Sequence, residues 1–273
     1  MAVFQFSFFS TSLHRNTDVT AVIPTEGPMF PGMPVPEGPL KLLILLHGYS
    51  GSHADWLRGS SIEQLAGKHR IAILCPSCEN SFYIDDVTRD ALYEQLIARE
   101  LPAFARKTFQ NISQRREDTF IGGLSMGGYG AIRNGLKNHD VFGGILAFSS
   151  ALITDGISKM PDDVQPGPQG GGGGMGMSPS YFIHTFGKPS KIIGSDVDPK
   201  ALAEKLVASG AERPRLYMAC GAEDFLIESN RDLHAHLEKL GYEHYYVEGP
   251  GTHEWAYWER HITQSLAWVD GKL

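Results

Sequence analysis

Apolar positions along the chain fall into two alternating patterns. Lys41-Leu42-Leu43-Ile44-Leu45-Leu46, Ile71-Ala72-Ile73-Leu74-Cys75, Gly143-Gly144-Ile145-Leu146-Ala147-Phe148-Ser149 and Arg215-Leu216-Tyr217-Met218-Ala219-Cys220 are short and nearly continuous in hydrophobicity. That is the mark of strands buried on both faces. Between them, segments of longer apolar period predict helices near 60–69, 87–107, 126–138, 181–186, 199–209, 228–240 and 255–269. Pro102 should kink or interrupt the second of these. A further strand is expected at 243–247. The first 24 residues alternate apolar and polar positions, as half-buried antiparallel strands do, with a turn near His14-Arg15-Asn16. Strands alternating with helices predict a mostly parallel central sheet, helices on both faces and antiparallel N-terminal strands. A single α/β domain over 1–273 is expected.

Two stretches break this rhythm. Residues 25–39 hold five prolines and three glycines, which predicts a loop. From about 155 to 198 the character changes again and includes the run Gly170 to Gly174, so this segment is expected to be a lid-like insertion. The glycine run resembles a phosphate cradle only superficially, since no G-K-[ST] or G-x-G-x-x-G follows a strand.

Composition narrows the function classes. The 273 residues carry 42% hydrophobic and 20% charged positions and a net charge of −7, with no basic stripe, which argues against nucleic acid or an anionic membrane as partner. The amino-terminal stretch has neither a basic region nor a long apolar core, and no apolar run approaches a membrane span. Three cysteines cannot all pair. Together these features predict a cytoplasmic protein without a disulfide framework. Cys75-Pro76-Ser77-Cys78 lacks the following helix of a redox motif and the further ligands of a zinc site, so buried free thiols are expected. No metal and no cofactor are expected.

The candidate chemistry centres on Thr119-Phe120-Ile121-Gly122-Gly123-Leu124-Ser125-Met126-Gly127-Gly128-Tyr129-Gly130-Ala131. An apolar strand runs into G-x-S-x-G, and small residues open a helix behind it. In this arrangement a serine sits on a strained strand-to-helix turn with its hydroxyl lifted clear of the sheet. Ser125 is therefore the candidate nucleophile. The Met126 N–H, at the helix N-terminus, is a candidate oxyanion donor. A second donor is expected after the first core strand, in His47-Gly48-Tyr49-Ser50-Gly51, at the Tyr49 N–H. Such a serine needs a base and an orienting carboxylate, in the chain order Ser, Asp/Glu, His. Gly221-Ala222-Glu223-Asp224 offers Asp224, with Glu223 beside it, and Gly251-Thr252-His253-Glu254 offers His253. Both follow strands. Among eleven histidines, His47 is expected to be a structural hydrogen-bonding residue and His234 and His236 to be solvated helix positions. Trp56, Tyr83 and Trp255 are candidates for lining a substrate pocket, with burial in the core as the competing expectation.

With these pieces assembled, the chain resembles the esterase D branch of the α/β-hydrolases, and most closely its tributyrin-esterase members. The likeness rests on Leu45-Leu46-His47-Gly48-Tyr49-Ser50-Gly51, Pro76-Ser77 with Ser81-Phe82-Tyr83, Gly122 to Gly130, Cys220-Gly221-Ala222-Glu223-Asp224-Phe225-Leu226 and Gly251-Thr252-His253-Glu254-Trp255-Ala256-Tyr257-Trp258. It covers nearly the whole chain and implies an α/β-hydrolase fold, with nucleophile, acid and base on Ser125, Asp224 and His253. The implied activity is an intracellular serine carboxylesterase for short acyl esters, from acetyl to butyryl, with a small-molecule ester as partner. Self-association is compatible with the resemblance. The proline-rich loop and the glycine run depart from the family pattern, so acyl preference transfers least. S-formylglutathione hydrolase and feruloyl or acetyl-xylan esterase are the enzymatic alternatives. A non-catalytic binding protein on a hydrolase scaffold is the alternative of another class.

Overall fold

A computed structural model describes residues 1–25, 38–163 and 177–273. Eight strands form the main sheet in the order β1-β2-β4-β3-β7-β8-β9-β10. They are β1 (Ala2–Ser10), β2 (Arg15–Ile23), β3 (Lys41–Leu46), β4 (Ile71–Pro76), β7 (Thr119–Leu124), β8 (Gly144–Phe148), β9 (Arg215–Gly221) and β10 (Tyr245–Gly249). A two-residue ladder joins β5 (Asp85–Asp86) to β6 (Ala91–Leu92) beside it. β1 and β2 are antiparallel to their neighbours, and β4-β3-β7-β8-β9-β10 run parallel. This is the expected α/β-hydrolase architecture.

The continuous apolar runs are buried on both faces because each strand supplies two cores. In β3, Leu42, Ile44 and Leu46 enter one cluster, with Met126 and Ile132 of the helix Met126–Lys137 and Leu202, Leu206, Leu233 and Leu237 of two later helices. Leu43 and Leu45 enter the other, with Trp56, Leu65, Ile262 and Leu266. Burying each such side chain stabilises by about 1.5–3 kcal/mol. Alternation of side chains along the pleat makes the division.

The helices mostly stand where periodicity places them. Pro179–Phe186 starts on the Ser178 cap and Pro199–Ser209 on Asp198, whose carboxylate accepts from the Lys200 N–H at 3.0 Å. Four local features differ from expectation. The expected helix from 87 begins only at Tyr93, because β5 and β6 occupy the preceding residues. Ahead of Pro102, which has no N–H to donate, residues Leu96–Glu100 adopt a π-helical turn, and the helix continues to Thr108. Trp56 lies inside a short helix, Asp55–Gly59, and β10 starts two residues later than expected.

The segment before residue 198 docks on the helix Met126–Lys137 through polar anchors invisible in the apolar pattern. Tyr129 Oη donates to the Val197 carbonyl at 2.6 Å, and Arg133 Nε to the Asp196 carbonyl at 2.9 Å. The fully buried Arg133 also pairs with the buried Glu94 at 2.5 Å, while Lys137 reaches both Glu94 and Asp196. Burial favours the neutral form of Glu94, but Arg133 and Lys137 outweigh it and hold the carboxyl below the usual glutamate range. The glycine run and most of the proline-rich loop lie outside the described residues.

No helix among the described residues is long and apolar enough to cross a membrane. Cys75, Cys78 and Cys220 are buried free thiols, and burial pushes the Cys220 thiol up to about 12.

Candidate active site

The parallel strands bring the candidate residues to one edge of the sheet. In register, Leu46 of β3 lies beside Gly123 of β7, Leu124 beside Phe148 of β8, and Gly221 of β9 beside Gly249 of β10. The segments that follow carry Tyr49, Ser125, Ser149, Asp224 and His253. A cavity of about 470 Å³ lined by Arg213, Arg215, Tyr242 and Trp268 opens at the other edge, where β9 and β10 begin.

Ser125 has φ 54° and ψ −118°, the strained turn the motif predicts. Close backbone approach explains the flanking glycines. A Cβ on Gly123 would stand 2.5 Å from the Gly127 carbonyl oxygen, and one on Gly127 would stand 2.6 Å from the Leu46 carbonyl oxygen. The turn is tied to β8: Ser125 N–H donates to the Phe148 carbonyl at 2.9 Å, and Ala151 N–H to the Ser125 carbonyl at 2.9 Å.

Next to it lies the loop after β3, where a Cβ on Gly48 would come within 3.6 Å of the Ser125 Cβ. His47 holds that loop. Its Nδ1–H donates to the Gly48 carbonyl at 2.7 Å, and its Nε2 accepts from the Cys78 N–H at 3.0 Å, an arrangement that requires neutral imidazole. Burial lowers its pKa in the same sense. Ser50 N–H donates to Asn80 Oδ1 at 2.7 Å. The N–H groups of Tyr49 and Met126 have no acceptor among the described residues.

Asp224 and His253 meet directly. His253 Nδ1 lies 2.9 Å from Asp224 Oδ2 and 3.2 Å from Oδ1, and the Leu226 N–H donates to Oδ1 at 2.9 Å. Burial pushes the Asp224 carboxyl upward. The hydrogen bonds from His253 and Leu226 and the nearby Ser149 hydroxyl prevail, and its pKa is lowered. Glu223 has a separate function: its carboxylate accepts from the Gly251 N–H at 2.7 Å and so fastens the His253 loop to the Asp224 loop. At the same junction a Cβ on Gly221 would collide with the Gly251 carbonyl at 2.1 Å.

Side chains that the sequence did not single out join these two halves. Trp258 Nε1–H donates to Ser149 Oγ at 3.1 Å, and its ring meets the His253 imidazole edge-on at 5.0 Å. Ser149, with φ 45°, sits at the end of β8 between the Ser125 turn and the Asp224 loop. Its place at the carboxyl end of a core strand is the one sequence signal that pointed here. Among the described residues no hydrogen bond joins Ser125 Oγ to His253.

Of the pocket candidates, Trp56 and Tyr83 are corrected to core residues. Trp56 is fully buried and donates to the Leu46 carbonyl at 2.9 Å, and the fully buried Tyr83 donates to the His47 carbonyl at 2.8 Å. Trp255 is half-buried against Trp56 and Trp258. His234 and His236 are also not simply solvated. Both are half-buried, and His234 bonds His244 at 2.7 Å and stacks on Tyr246. Among the described residues no group of three or more His, Cys, Asp or Glu side chains is arranged to hold a metal.

Comparison with known proteins identifies the family of the chain. Residues 10–269 match the family model described as "Putative esterase". The chain is 41% identical over 270 residues to an acetyl esterase of Caldicellulosiruptor saccharolyticus, covering 98% of both proteins. Its structure is similar to Staphylococcus aureus FphF, a fluorophosphonate-binding serine hydrolase, with TM-score 0.81, 28% identity and 98% of both chains covered. It is likewise similar to S. aureus S-formylglutathione hydrolase FrmB, with TM-score 0.80, 27% identity and the same coverage. The chain belongs to this esterase family, and the protein is a carboxylic ester hydrolase of the α/β-hydrolase fold.

Proposed function

We propose that the protein is a serine carboxylesterase of the esterase D and tributyrin-esterase kind, hydrolysing acetyl to butyryl esters through an acyl-enzyme on Ser125. The observation that carries this reading is the Asp224–His253 pair, which engages Nδ1 and leaves Nε2 without a hydrogen-bond partner among the described residues. Ser125 Oγ attacks the ester carbonyl as its proton passes to His253 Nε2. Negative charge on the former carbonyl oxygen is received by the Tyr49 and Met126 N–H groups. Collapse expels the alcohol, which takes the proton from the imidazolium, and water then releases the acid by the same steps in reverse roles. Asp224 keeps the proton on Nδ1 and stabilises the imidazolium.

Short acyl substrates are favoured by the likeness to an enzyme named acetyl esterase. The described part of segment 155–198 is compatible with a substrate-shaping role. Its helix Pro179–Phe186 sets Tyr181 edge-on against Tyr49 at 5.9 Å, beside the proposed oxyanion donor. A second reading, S-formylglutathione hydrolysis, is favoured by the likeness to FrmB.

A p-nitrophenyl ester series from acetate to octanoate, run with Ser125→Ala and with S-formylglutathione alongside, separates these. Fast turnover of acetate to butyrate that disappears in Ser125→Ala is the expected result. A strong preference for S-formylglutathione selects the second reading, and full activity in Ser125→Ala overturns both.

A further inference from the structure

His253 stands between two aromatic side chains of opposite character. Trp258 is buried and its indole N–H is committed to Ser149. Phe225, on the other hand, lies 4.7 Å from the imidazole in a tilted arrangement, yet is 63% exposed. It directly follows Asp224, whose carboxylate fixes the imidazole through Nδ1 and is itself bonded to the Leu226 N–H. The ring is thus an apolar surface held at the candidate base and open to solvent. Phe9 and Ile193 are comparably exposed, but neither has a ring contact or hydrogen bond to the candidate triad.

Reaction geometry limits what such a surface meets. When the tetrahedral intermediate collapses, the bond between the carbonyl carbon and the alcohol oxygen breaks. Its electron pair stays on that oxygen, which takes the proton from His253 Nε2. Donor and leaving oxygen must then be about 3 Å apart, so the first atoms of the alcohol lie beside the imidazole. The acyl chain leaves the same carbon in another direction. Building on the mechanism proposed above, we propose that Phe225 is a specificity-determining wall of the leaving-alcohol subsite. It favours esters of alcohols with an apolar or aromatic group close to the ester oxygen over esters of small or polyhydroxylated alcohols.

The test holds the acyl group constant and varies the alcohol. Initial rates on methyl, butyl and benzyl acetate are measured for the wild type, Phe225→Ala and Phe225→Leu, together with benzyl propionate and butyrate. Phe225→Ala is expected to lower kcat/KM for benzyl acetate about tenfold and for methyl acetate less than about twofold. Phe225→Leu should fall between, and the benzyl acyl series should keep its wild-type ranking. An equal loss on methyl and benzyl acetate would mean that the ring merely steadies the imidazole, and would overturn the proposal. So would an unchanged benzyl rate, or a loss that follows acyl length. Undiminished benzyl acetate hydrolysis by Ser125→Ala would instead remove the underlying mechanism, and is read independently of Phe225.

Discussion

The Ser125 turn and the Asp224–His253 pair are built in opposite ways. The turn is backbone against backbone: the helix Met126–Lys137 approaches the loop after β3 so closely that Gly127 leaves no room for a Cβ beside the Leu46 and His47 carbonyls. The Asp224–His253 pair is held by side chains across long stretches of sequence. Asp224 meets His253, Glu223 fastens Gly251, and Trp258 reaches Ser149. A site divided in this way should fail in two ways. Damage to the turn should appear as lost folding, and damage to the pair as lost rate in a protein that still folds.

The largest expected effect lies on the side-chain half. Asp224→Asn removes the carboxylate that fixes the imidazole tautomer and should lower kcat by about 10⁴-fold with little change in thermal midpoint. Steady-state kinetics beside a melting curve checks both halves of that statement.

Next is the polar support of the turn. Arg133→Met leaves the buried Glu94 with Lys137 as its remaining cationic partner, beside the Asn138 amide, and should destabilise by about 3–5 kcal/mol in urea unfolding at pH 7. Glu94 is held below the usual glutamate range. Its contribution is therefore present above the ordinary value of about 4.3 and is lost as pH falls through the lowered folded value. The two stability curves should converge in acid, and a constant gap down to acid pH would show that Arg133 acts by packing alone.

Gly127→Ala sharpens the comparison on the backbone half. The added methyl must displace main chain and should cost about 1–3 kcal/mol, with activity falling only as the turn shifts. A fully stable but inactive Gly127→Ala would break the proposed division. The smallest effect is expected for Glu223→Gln, which keeps an oxygen acceptor for the Gly251 N–H and removes the charge. Its kcat/KM should fall by about fivefold at most, corresponding to roughly 1 kcal/mol from a weakened hydrogen bond.

The same division decides how much was legible in the sequence. Strand runs, the elbow glycines and the order of Ser125, Asp224 and His253 are local signals; the strand runs gave the sheet, and the others give the candidate site proposed above. His253 bonds Asp224, and Glu223 bonds the Gly251 N–H instead. What escaped was non-local. Trp56 and Tyr83 carry polar tips that suit a pocket equally well, and only the fold shows those tips bonded to the carbonyls of Leu46 and His47. Arg133, Glu94 and Asp196 are far apart in sequence and ordinary in type, so the buried Arg133–Glu94 pair and its link to the exposed Asp196 left no pattern to find. Ser149 and Trp258 were hidden for the same reason. The late start of the helix at Tyr93 and the π turn before Pro102 are local deviations that apolar periodicity does not encode.

The central claim is that Ser125 is the nucleophile activated by His253 and Asp224. Its most direct test is labelling of the folded protein with a fluorophosphonate probe, followed by mass spectrometry of the modified peptide. The account predicts one adduct, on Ser125, absent in Ser125→Ala and formed much more slowly in Asp224→Asn. An adduct on another residue, or equal labelling of the wild type and Asp224→Asn, would contradict it.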